Sequence, residues 1–125
     1  MDAIIFKRRT KQLALRIGKM ADTLPNTRSA DVYAKQIIRS SSSVGANYRA
    51  ACRAKSTADM INKLKIVEEE ADETLFWLEI ITESGLLHEN RVTDLMKEAD
   101  EILSMTVASI KTLKEKQNII NPKSK

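Results

Sequence analysis

Apolar residues recur along this chain at alternating steps of three and four, the spacing of helices that bury one face. Leu13, Ile17, Met20 and Leu24 keep that step and predict a helix from about Ala3 to Thr23, ended by Pro25 and Asn26. Ala34, Ile37, Ser41, Val44, Tyr48 and Ala51 keep it again and predict a second helix from Arg28 or Ser29 to Ala54. Its phase passes unbroken through Ser40-Ser-Ser-Ser-Val-Gly-Ala-Asn47, which by composition alone resembles a linker. A linker has no reason to hold a helical phase, and serine is a mediocre helix former, so tertiary contacts must hold this stretch helical. Asn47 is expected to make a helix-packing hydrogen bond.

Met60, Leu64, Val67, Ala71, Thr74, Leu78 and Ile81 form a heptad seam. They predict a third helix from Thr57 to Ser84, capped by Ser56 with Asp59 and closed by Gly85. Val92, Leu95, Ala99, Ile102, Thr106, Ile110 and Leu113, widened by Met96, Leu103 and Val107, predict a fourth from Asn90, as its cap, to Gln117. Helices of this size are roughly 30–40 Å long. Short connections make antiparallel neighbours of them, so the expected fold is all-α, an antiparallel up-down-up-down four-helix bundle. It forms a single domain over residues 1–117, with residues 118–125 as a flexible C-terminal tail.

Two helices carry more than one bundle face. With Val44 at zero and about 100° per residue, Arg28, Lys35, Arg39, Arg49 and Arg53 fall opposite the seam of the second helix, with Ser42 and Ala46 among them. Lys55 extends this basic stripe. The ladder Ser42, Ala46, Ala50, Ala54 leaves a flat gap in it, where another backbone can approach closely. On the third helix Ile66, Phe76, Trp77 and Ile80 lie away from the seam and form a second apolar strip, expected at a subunit interface or else under a loop of the same chain. Small and basic surface on one helix and apolar or acidic surface on another fit a self-assembling chain.

Composition sharpens that picture. The chain has 125 residues and a net charge of +4. Residues 1–55 hold 12 Lys/Arg against 3 Asp/Glu, net +9, whereas residues 56–125 hold 9 against 14, net −5. That asymmetry points to self-complementary assembly or to a polyanion-binding face, or else to two ordinary solvated surfaces. A lone cysteine, Cys52, excludes an internal disulfide and fits a reducing compartment. No apolar run is long enough to span a bilayer, and the charges of Met1-Asp-Ala-Ile-Ile-Phe-Lys-Arg-Arg9 follow its apolar patch, so a cytoplasmic location is expected. Di-metal sites in bundles need two histidines, and His88 stands alone. Cys52 and Ser40–Ser43 have no second histidine or triad pattern to activate them, and no glycine-rich phosphate loop is present. The expectation is therefore no enzyme, no cofactor and no small-molecule substrate.

Ser43, Val44 and Asn47 carry a resemblance to the bacterial 23S ribosomal RNA intervening sequence proteins, whose motif reads Ser-Ile-x-x-Asn-Ile-Ala-Glu-Gly. Gln36-Ile-Ile-Arg39 before it, and Leu78-Glu79 and Ser84-Gly-Leu-Leu87 after it, extend the resemblance over Leu24 to Leu87. Tyr48-Arg-Ala-Ala51 departs from the motif's Ile-Ala-Glu-Gly. The resemblance implies a four-helix subunit that assembles as a homopentamer, without enzymatic activity. It also implies kinship with accessory factors of diversity-generating retroelements, which work with a reverse transcriptase and RNA. Two readings follow: a self-assembling RNA-associated accessory protein using Arg28, Lys35, Arg39, Arg49, Arg53 and Lys55, or a pure protein-interaction module whose basic face is consumed by subunit contacts.

Overall fold

The computed structural model describes residues 2–120. Among them the chain forms α1 (Ala3–Ala21), α2 (Arg28–Cys52), α3 (Thr57–Glu83) and α4 (Thr93–Ile120), with a short 3-10 turn at Glu89–Arg91. Each start is set by a side chain that accepts an otherwise unpaired backbone N–H. Asp2 takes Ile4 N at 2.9 Å, Thr27 takes Ala30 N at 3.2 Å, and Ser56 takes Asp59 N at 3.1 Å. Asp59 reaches back to the N–H of Lys55 at 3.2 Å, one residue ahead of the usual capping-box partner. Gly85 follows α3 at φ 82°, the left-handed region open to glycine.

α4 starts three residues later than the sequence predicts. Asn90 is not its cap: it lies inside the 3-10 turn, its N–H bonded to Nδ1 of His88 at 3.2 Å. The tighter turn delivers fully buried Val92 to the core, and the α-helix begins only after it. α2 ends at Cys52 rather than Ala54, because Arg53 leaves helical geometry and bonds back to Ala50. Asn118–Ile120 continue α4 past the predicted Gln117; residues 121–125 lie outside the described residues.

Each helix packs on the next, and α1 meets α4. The pairing runs in opposite chain senses: Phe6 meets Tyr48 and Thr10 meets Gly45, while Tyr33 meets Trp77 and Ser40 meets Thr74. The seams of α2, α3 and α4 are buried nearly throughout, and α1's seam extends back through Thr10 to Phe6. Val107, expected to widen the α4 seam, is instead 44% exposed. Burying a Leu, Ile or Phe stabilises by roughly 1.5–3 kcal/mol, so this shared core holds the four helices together.

The serine run lies inside that core. Ser40 and Ser41 are fully buried. The Ser40 hydroxyl sits 2.9 Å from that of Thr74 on α3. Gly45 faces α1, where a Cβ would lie 3.5 Å from the Thr10 hydroxyl. The tiny side chains therefore let α2 approach both neighbours, while Ser42 and Ala46 remain exposed on its outer side.

Candidate nucleic-acid and assembly surface

The outer side of α2 carries Arg28, Lys35, Arg39, Arg49 and Arg53, all exposed, with Lys55 in the loop beyond. Their electrostatic situations differ. Lys35 pairs with Asp31 one turn earlier at 3.0 Å, both side chains well exposed. Arg39 instead bridges to α3: it donates to Glu70 at 2.8 Å and to Glu73, and its Nε bonds Gln36 at 3.3 Å. The indole N–H of Trp77 donates to the same Glu73 carboxylate at 3.1 Å. That bond first, and the Arg39 guanidinium second, hold the Glu73 carboxyl below its ordinary value, while Glu73 and Glu70 push the Arg39 guanidinium up. Arg39 is thus a clamp between α2 and α3, and its charge is shared with two carboxylates of its own chain.

Among the described residues Arg28, Arg49, Arg53 and Lys55 make no ion pair. The expected continuous stripe therefore separates into Arg28 near one end of α2 and Arg49, Arg53 and Lys55 at the other. At 1.5 Å per residue these ends are about 30 Å apart. Between them Lys35 and Arg39 are paired with carboxylates, and Ser42 and Ala46 leave the stretch from Arg39 to Arg49 without a long side chain on this face. Lys63 of α3 joins the second group, lining the same cavity as Arg53 and Lys55. Sequence reasoning missed it because only the α2–α3 loop brings it there.

The apolar strip of α3 also divides. Trp77 is half-buried, its ring 5.9 Å from Tyr33 of α2 and 5.0 Å, edge-on, from Phe76. It anchors the α2–α3 contact within the chain. Phe76 remains 50% exposed and Ile66 38%, with Ile80 half-buried between the extremes. Ala50, assigned with Ser42 and Ala46, is half-buried at the α2–α3 corner.

The motif residues bond to one another. The Asn47 carboxamide donates to the Ser43 carbonyl at 2.9 Å and its hydroxyl at 2.8 Å, one turn earlier on α2. The expected bond between helices is therefore a bond within one helix. Val44, the third motif residue, is fully buried.

A second clamp joins α1 to α4. Arg9 donates to Glu98 at 2.6 Å and Glu101 at 3.1 Å, and holds Glu98 below its ordinary value. Cys52 is half-buried in an apolar groove of about 640 Å³ beside Tyr48, Met60 and Met105. Burial pushes the Tyr48 phenol up, a direction unsuited to a general base near neutral pH. Among the described residues no three His, Cys, Asp or Glu side chains gather as metal ligands, and no helix is long and apolar enough to cross a membrane.

The family model of the 23S rRNA-intervening sequence protein matches residues 2–108. A crystal structure of a protein of unknown function from the S23 ribosomal protein family of Bacteroides thetaiotaomicron superposes with a TM-score of 0.82 at 35% identity. The match covers 89% of this chain and 99% of that one. A comparison with curated proteins finds no match. The chain belongs to the 23S rRNA-intervening sequence protein family.

Proposed function

We propose that this member of the 23S rRNA-intervening sequence protein family is a non-enzymatic, self-assembling accessory protein of the cytoplasm that associates with RNA. One observation carries the reading: four exposed cations, Arg28, Arg49, Arg53 and Lys55, have no ion-pair partner among the described residues of their own chain. Charges left unpaired along a helix and the loop that follows it attract a polyanion, and phosphate-led contacts of this kind are indifferent to base sequence. Self-assembly rests on Ser42 and Ala46, exposed and small at the centre of that face, and on exposed Phe76 and Ile66. Five subunits is the number that the family resemblance implies.

The second reading, a protein-interaction module that partners a reverse transcriptase or its own copies, is supported by the same Phe76, whose half-exposed ring is of the kind that anchors interfaces. Binding of a fluorescent structured RNA at several salt concentrations separates the two. The RNA reading expects affinity that falls with salt and is lost when Arg49, Arg53 and Lys55 are all changed to Gln. Undiminished binding by that triple variant refutes the assignment of the surface. Absence of binding by the parent leaves the interaction module.

A further inference from the structure

At the corner where α2 turns into α3 a cavity of about 470 Å³ is lined by Ala50, Arg53, Lys55, Ser56, Asp59 and Lys63. Three cations converge there against one carboxylate. None of the three forms an ion pair among the described residues. The Asp59 carboxylate is already engaged by the backbone N–H of Lys55 at 3.2 Å, which holds the loop closed. The Ser56 hydroxyl oxygen accepts from Asp59 N at 3.1 Å, so its own hydrogen is free to donate. Arg9 and Arg39 are the two arginines that meet carboxylates of the same chain among the described residues. What sets this corner apart is that three unpaired cations and the small side chain of Ala50 line one concavity.

We infer that the corner is a phosphate site, taking a single phosphate group with Arg53, Lys55 and Lys63 as charge partners and the Ser56 hydroxyl as donor. An anion entering this concavity would be attracted by all three cations, and a phosphate oxygen set matches mixed ammonium and guanidinium donors. The inference rests on the RNA reading above for the source of the phosphate. It differs from that reading in including Lys63, which lies on α3 and outside the α2 stripe. The chemistry is common to a terminal phosphate of RNA, an internal phosphodiester and free inorganic phosphate.

The test is a titration of 15N-labelled full-length protein with inorganic phosphate, with chloride holding the ionic strength constant, read by amide NMR. Saturable shifts confined to Arg53–Lys63, weakened at least tenfold in Lys63→Gln, are expected. Absence of saturation, or equal binding by Lys63→Gln, overturns the site. Two short RNAs of one sequence, bearing a 5′-phosphate or a 5′-hydroxyl, then identify the source. A tenfold preference for the phosphorylated strand that Lys63→Gln abolishes assigns a terminal phosphate. Equal affinity of the two strands, reduced alike in Lys63→Gln, assigns an internal one. Phosphate binding without RNA binding sinks only the RNA reading and leaves free phosphate as the occupant. RNA binding that Lys63→Gln leaves unchanged while abolishing phosphate binding also leaves free phosphate as the occupant. RNA binding with no saturable phosphate binding sinks only this site.

Discussion

Replacing Arg39 by Ala should weaken the fold and leave RNA binding intact, whereas replacing Arg53 by Ala should do the opposite. Both are exposed arginines on the same side of α2, so a helical wheel treats them alike. Arg39, however, holds Glu70 and Glu73 of α3, and its loss leaves a Glu70 side chain that is only 15% exposed without its cation. Exposed ion pairs contribute about 0.2–1 kcal/mol, whereas stripping one partner from a fully buried pair costs about 3–5 kcal/mol. With Arg39 itself 49% exposed, solvent screening places this clamp at the top of the exposed range, at roughly 1 kcal/mol. For a urea dependence of about 1–3 kcal/mol/M that moves the unfolding midpoint down by roughly 0.3–1 M. Arg53→Ala, with no in-chain ion pair to break, should stay within about 0.5 kcal/mol of the parent. In RNA binding the roles reverse: each phosphate-paired cation contributes about 0.7–0.9 to the slope of log affinity against log salt, and only Arg53→Ala should lower it. Urea unfolding at one fixed protomer concentration, alongside salt-series RNA titrations, measures both. An Arg39→Ala variant that flattens the salt slope as much as Arg53→Ala while unfolding like the parent would refute the clamp.

Further outcomes follow from single residues. Gly45→Ala should stabilise by roughly 0.5–1 kcal/mol, because helix propensity rises and the new Cβ meets Thr10 at 3.5 Å, an ordinary contact. Gly85→Ala should destabilise by about 1–2 kcal/mol at φ 82°; thermal melts of both variants check the pair. Glu73 and Glu98 are held below their ordinary value of 4.5, so the stability they contribute is fully present above that value and is lost as pH falls through their lowered values. The urea midpoint should hold from neutral pH to about 5 and decline below it, and the decline should shrink in Arg9→Ala, with an unchanged profile in that variant counting against the α1–α4 clamp. Ala46→Trp should lower the mass seen by light scattering while circular dichroism keeps its helical signal; an assembled Ala46→Trp protein would remove α2 from the interface.

Most of the fold was legible because burial follows a period of three and four that survives polar substitutions. Ser41, Thr74 and Thr106 keep the phase of their seams although none is apolar, and all three are buried. Seeing that the phase runs through Ser40–Asn47 separated a helix from a linker. The same reasoning stopped short at Phe6 and Thr10, where polar and charged neighbours mask the first turns of the α1 seam. It could not say which neighbour each edge of α2 meets: Ser40 and Gly45 serve α3 and α1 respectively, a fact of packing and not of period. The surface was harder still. Whether Arg39 faces water or Glu70 depends on a partner 31 residues away, and whether Trp77 is an outer anchor or an inner one depends on Tyr33. Lys63 was invisible because charge on α3 gains meaning only when the loop folds it toward Arg53 and Lys55.

Native mass spectrometry of the full chain, alone and with a structured RNA, tests self-assembly and RNA association together. The account predicts ions at a fixed multiple of the 14.1 kDa subunit mass, and the same multiple carrying one RNA at low salt. Ions at 14.1 kDa alone, unchanged by RNA, would contradict it.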